Sequence, residues 1–160
     1  MRKTPFGTDW SKANDRIAFT ARGDDGRYHI YTVRPDGTDL QQLGAGSASF
    51  PQRTTGSAVW RPSGRLIAFV AEKPTHPGNS VGATPGWGSY SDLWVATADG
   101  ARARQFTDVP VDKDHGTIIP KFSPDGRLVE WTERTAAGSP ESGSLCRILG
   151  DQGRRLQGRR

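Results

Sequence analysis

At 160 residues and a net charge of +5, the chain is long enough for one domain with a real core. A hydrophobic content of 33%, with 20 glycines and 11 prolines, suits many short strands joined by turns and leaves no apolar run able to span a bilayer. Five arginines against one aspartate in residues 147–160 supply four of the five net charges. A nucleic-acid surface instead needs cations across a folded face with aromatics among them, so neither nucleic acid nor membrane insertion is expected.

In chain order, the first recognisable element is Trp10-Ser-Lys-Ala-Asn-Asp-Arg-Ile-Ala-Phe19. It returns as Trp60-Arg-Pro-Ser-Gly-Arg-Leu-Ile-Ala-Phe69 and again as Phe122-Ser-Pro-Asp-Gly-Arg-Leu-Val-Glu-Trp131. Each copy has an aromatic, a turn, an arginine, a short apolar run and a second aromatic nine positions after the first. In Ser-Pro-Asp-Gly, proline presets φ near −65° and glycine tolerates the tight exit, which suits a type I turn. Past the turn, Ile17/Phe19, Ile67/Phe69 and Val129/Trp131 alternate with the period of two that a strand requires.

A second spacing extends the repeat. Ile30–Val33 leads to Asp36-Gly37 and Gln42-Leu43, and Leu93–Ala96 leads to Asp99-Gly100 and Gln105-Phe106. Asp-Gly between strands is a strong turn signal. Each unit therefore reads as a four-stranded antiparallel meander. Strands are expected around Thr8–Ser11, Arg16–Ala21, Tyr28–Arg34 and Leu40–Leu43, then Ala58–Trp60, Leu66–Ala71, Asp92–Thr97 and Arg104–Thr107, then Ile119–Ser123 and Leu128–Glu133.

Units begin 50 and then 62 residues apart, the size of a β-propeller blade. The expected fold is all-β: a partial propeller of about three blades over 8–46, 47–110 and 111–140, the last incomplete. Local hairpins argue against a solenoid, whose strands would pair between repeats. Leu145–Leu149 could supply a third strand for the last unit. Residues 141–160 otherwise read as a degenerate blade end or a disordered basic tail.

The second unit is lengthened by Lys73–Ser91, rich in Pro, Gly and Ser. Its first reading is a tolerated surface excursion; its second is a recognition loop through Trp87 and Tyr90. Asp108, Asp112, Asp114 and His115 form the one polar constellation. Asp112, Asp114 and His115 are the metal candidates, against a solvated turn around Lys113. The paired aromatics are expected in the core between blades, and His29 at a surface or edge. No phosphate loop of the P-loop kind occurs, and no catalytic residue and no cofactor is assigned. Cys146 stands alone and forms no internal disulfide, and no apolar stretch follows Met1-Arg2-Lys3 to make a secretory leader.

Phe122-Ser-Pro-Asp-Gly-Arg…Trp131, with Ile30-Tyr…Asp36-Gly37 and Leu93-Trp…Asp99-Gly100…Gln105-Phe106-Thr107, resembles the TolB-like, WD-repeat-like β-propeller family over about residues 8–134. Lys12-Ala13-Asn14-Asp15 and Ser63 depart from its turn motif. The resemblance implies a non-catalytic scaffold for protein–protein interaction, in a periplasmic or exported setting, and a chain that is part of a longer propeller. It also implies alternatives: the propeller accessory of a prolyl-oligopeptidase-like serine peptidase, or a lyase with a metal in its channel. A protein partner is expected, and three blades that cannot close a ring invite a homo-oligomer that completes it.

Overall fold

The alternating segments pair as the turn chemistry dictates. In the computed structural model, residues 6–75, 90–111, 115–134, 144–150 and 155–156 are described; side chains are described over 7–75, 90–111 and 115–133. The first sheet has the order β1 (Phe6–Ser11), β2 (Arg16–Arg22), β3 (Tyr28–Val33) and β4 (Gln41–Gln42). The second has β5 (Thr55–Trp60), β6 (Leu66–Glu72), β7 (Ser91–Thr97) and β8 (Ala103–Gln105). The third has β9 (Gly116–Phe122), β10 (Leu128–Arg134), β11 (Ser144–Gly150) and β12 (Arg155–Leu156). Every pairing is antiparallel, and Trp10↔Ile17, Trp60↔Ile67 and Phe122↔Val129 hold one register in all three. In the last unit β11 falls on the segment read as a possible third strand, and a two-residue β12 follows it. Among the described residues no helix is long and apolar enough to cross a membrane.

Because side chains alternate across a strand, each sheet has two faces. Trp60, Ile67, Phe69, Ala71 and Ala96 of the second sheet bury against Ala18 and Ile30 of the first, with Leu43 and Phe50 of the connecting segment. Phe50 and Phe69 stack at 4.9 Å. The opposite face of the second sheet, with Val59, Ala68, Leu93 and Val95, meets Phe122, Val129 and Trp131 of the third. The aromatic-bearing face of each later sheet thus packs on the sheet before it. Burial at this level contributes about 1.5–3 kcal/mol per large apolar side chain.

Trp10 corrects the expectation that every paired aromatic lies in the core. Its counterpart Trp60 is 5% exposed, whereas Trp10 is 57% exposed. Trp60 has the first sheet to bury against; no described sheet lies over Trp10. Phe19, Ala21 and Tyr31 on the same face form a cluster drawn from one sheet alone, with Phe19 and Tyr31 stacked at 5.7 Å.

The first strand of the second sheet, β5, contacts the first strands of both its neighbours, β1 and β9. Each carries a bulge at the same place, and Gly7, Ser57 and Ile119 occupy it at φ of 60°, 53° and 51°. A bulge twists an edge strand away from further pairing. Ile119 adopts this left-handed conformation although it is β-branched, which is strained. At the same end of the sheets as the Ser-Pro-Asp-Gly turn, neighbouring turns are tied together. Asn14 Nδ2 donates to the Gly64 carbonyl at 3.1 Å, and Arg61 Nε donates to the Gly126 carbonyl at 2.8 Å. Gly64 and Gly126 have φ of 69° and 68°, and a Cβ there would crowd Ala13 and the Arg61–Pro62 side chains respectively. Glycine therefore serves both the turn and the contact with the next turn.

Candidate functional site

At the opposite end lie the exits of β2, β6 and β10 and the connections from β4 to β5 and from β8 to β9. On the second sheet this end opens into the Lys73–Ser91 insertion. Both roots of the insertion are pinned. Lys73 is 3% exposed, and its Nζ lies 2.6 Å from Asp92 Oδ2 and 2.8 Å from Asp108 Oδ1. Asp92, 1% exposed, also accepts from the Val109 amide at 2.9 Å, Thr107 Oγ1 at 3.0 Å and Gln105 Nε2 at 3.0 Å. Next to Lys73, buried Glu72 pairs with Arg53 at 3.1 Å.

Burial opposes the Lys73 charge, but hydrogen bonds to Asp108 and Asp92 outweigh it and hold the ammonium above its ordinary value. Burial pushes the Asp92 carboxyl upward, against the bonds from Lys73 and the Val109 amide. These directions pull differently on one pair. Four donors aimed at a single carboxylate favour its ionised form, and the pair is best described as charged. Exposed Asp108 is held below the usual carboxylate value by its bond to Lys73.

The two candidate segments of the sequence meet here. Tyr90, at φ 55°, donates its amide to the His115 carbonyl at 2.7 Å and accepts from the Lys73 amide at 2.8 Å. Ser91 Oγ donates to the Thr117 carbonyl at 3.0 Å, carrying the link into β9. His115 Nε2 lies 3.1 Å from Glu133 Oε1 of β10. Asp112, Asp114 and Trp87 lie outside the described residues. Among the described residues, no group of three His, Cys, Asp or Glu side chains is placed to hold a metal ion.

The first sheet closes its corresponding end with a smaller polar pair. His29 Nε2 lies 3.0 Å from both carboxylate oxygens of Asp25. His29 is 8% exposed, a correction to its expected surface position. It sits opposite Ala21 in the β2–β3 register, on the face shared with Phe19 and Tyr31, and Asp25 in the hairpin reaches back over it. Sequence reasoning missed Lys73, Asp92 and Thr107. The available signal was a charged residue opening an otherwise apolar strand, Asp92-Leu-Trp-Val.

Solved structures carry the same arrangement of sheets. A TolB candidate from Agrobacterium tumefaciens superposes over 99% of this chain and 49% of its own, with a TM-score of 0.66 and 16% identity. TolB of Acinetobacter baumannii follows over 91% of this chain and 30% of its own, at TM-score 0.61 and 13% identity. The fold is that of a TolB-like β-propeller, present in part. A puromycin-hydrolyzing peptidase of Mycobacterium tuberculosis shares this TolB-like fold over 92% of this chain and 20% of its own, at TM-score 0.61 and 15% identity. No protein-family model matches the sequence. Two curated proteins align with about half of it. Tricorn protease homolog 1 of Streptomyces coelicolor is 35% identical over 80 residues, and the uncharacterized peptidase YuxL of Bacillus subtilis is 28% identical over 79. The aligned stretch spans 5% and 9% of those two proteins.

Proposed function

We propose that this TolB-like chain is a non-catalytic scaffold, part of a longer propeller, which presents the loop-bearing end of its second and third sheets to a protein partner. The observation that carries this reading is the convergence of the insertion root and the β8–β9 connection on one buried anchor, Lys73–Asp92. Surface loops set on a rigid base are where propellers and other scaffolds place recognition. A photo-crosslinking residue at position 90, compared with one at position 38 on the opposite end, tests it. A specific protein captured from position 90 alone, which then binds the purified chain, is the expected result. Equal capture from both ends, or binding unaffected by deleting residues 74–89, would sink the proposal.

A second reading is favoured by the peptidases among the matches: the chain is a portion of a propeller domain that accompanies a serine peptidase. Reading the coding sequence on both sides decides it. An in-frame Gly-x-Ser-x-Gly elbow in a strand–turn–helix context supports the second reading; flanks that encode only further Ser-Pro-Asp-Gly repeats support the first.

A further inference from the structure

We infer that the β5–β6 turn is a docking point for a carboxylate from an acidic segment of a partner protein, a contact separate from the loop-bearing end. Its backbone repeats that of the β9–β10 turn. Arg61 N donates to the Leu66 carbonyl at 2.9 Å and Gly64 N to the Arg61 carbonyl at 2.8 Å. The counterparts, Ser123 N to the Leu128 carbonyl and Gly126 N to the Ser123 carbonyl, measure 3.0 and 2.8 Å. In the β9–β10 turn the next two amides are capped: Asp125 Oδ1 accepts from the Arg127 amide at 3.0 Å, and Ser123 Oγ from the Leu128 amide at 3.0 Å. The β3–β4 and β7–β8 turns likewise set Asp36 and Asp99 on the Thr38 and Ala101 amides. In the β5–β6 turn Ser63 stands in place of the aspartate and Arg61 in place of the serine. Among the described residues, no side chain accepts from the Arg65 or the Leu66 amide.

The surroundings of those two amides are cationic. Arg65 is exposed, and its carbonyl accepts from the Ala98 amide at 3.1 Å, which brings the β7–β8 turn and exposed Arg102 alongside. On the other side Arg61 Nε bonds the Gly126 carbonyl, and exposed Arg127 follows it in the chain. The two aspartates of this neighbourhood, Asp99 and Asp125, are engaged by hydroxyls and amides of their own turns. Guanidinium groups and amides bind carboxylates through charge-assisted hydrogen bonds, about twice as strong as neutral ones. A carboxylate arriving from outside takes the place on the Arg65 amide that Asp125 fills on the Arg127 amide. With Arg102 and Arg127 to either side, a run of acidic side chains meets several guanidinium groups at once. The sheets of this chain stack through their faces, so further blades on either side would leave these turns uncovered.

Peptides of six glutamates and of six glutamines, titrated into the full nitrogen-15-labelled chain, test the inference through assigned amide resonances. The glutamate peptide is expected to shift the Arg65 and Leu66 amides saturably, and the glutamine peptide to leave them in place. Ser63→Asp supplies the carboxylate from within, as the sister turns do, and is expected to weaken the glutamate peptide about tenfold. Pro124→Asp puts the same charge in the adjacent turn rather than beside the Arg65 amide, and should keep the affinity within about threefold of wild type. Wild-type amides that stay still, or that move equally with the glutamine peptide, overturn the inference. Ser63→Asp binding as tightly as wild type, with the rest of its amide spectrum retained, overturns it too. So does an equal loss in Pro124→Asp, which would leave only a general field of positive charge.

Discussion

Lys73 shows what one side chain can decide in this molecule. Its ammonium joins buried Asp92 to exposed Asp108. A buried pair of this sort adds little net stability over an apolar substitute, but removing one partner strands the other charge. Lys73→Met should therefore destabilise the chain by about 3–5 kcal/mol, read from the urea midpoint at pH 7. Lys73→Met combined with Asp92→Leu should recover much of that loss. A double variant no more stable than the single one would show that the pair holds the β8–β9 connection in place rather than merely balancing charge. His29 makes the same point on a smaller scale: from the sequence it could lie at an edge, and Asp25 makes it a buried group.

Among the elements, the Asp-bearing turns behave alike. Asp36, Asp99 and Asp125 each accept a bond from a nearby hydroxyl, on Thr38, Thr97 and Ser123, and another from a backbone amide. The hydroxyl bond comes first in holding all three carboxyls below their ordinary value of 3.8. A carboxyl lowered by folding stabilises the fold fully above its unfolded value, and that contribution disappears as pH falls through the folded one. Stability should therefore decline as pH drops below about 3.8, measured by urea titration at a series of acid pH values. Asp125→Asn should show a shallower decline; an identical slope would remove this turn from the explanation. The hairpins were legible because proline, aspartate and glycine carry turn geometry locally. The bulge at Gly7, Ser57 and Ile119 was not, because three unrelated residue types occupy it.

For the whole molecule, stability runs through the two sheet–sheet interfaces, as in other repeat architectures where each unit leans on its neighbours. Trp131 is 6% exposed and anchors the third sheet to the second beside Ala68 and Leu93. Trp131→Ala should cost about 3–5 kcal/mol. It should also split guanidinium unfolding into two steps, the third sheet melting first, seen by circular dichroism. One sharp transition at the wild-type midpoint would show that the third sheet contributes nothing through this contact.

The sequence by itself determined the repeat, the strand pairing within each unit and the TolB-like class of fold, because turn preference and period-two alternation act over fewer than a dozen residues. It also placed Tyr90 and His115 in separate segments of interest. Only the tertiary structure brought those segments together over the Lys73–Asp92 pair and left Trp10 exposed while burying Trp60. The reason is physical: a side chain's burial, its partners and the cost of its charge depend on which sheet lies across from it, and that neighbour is some fifty residues away.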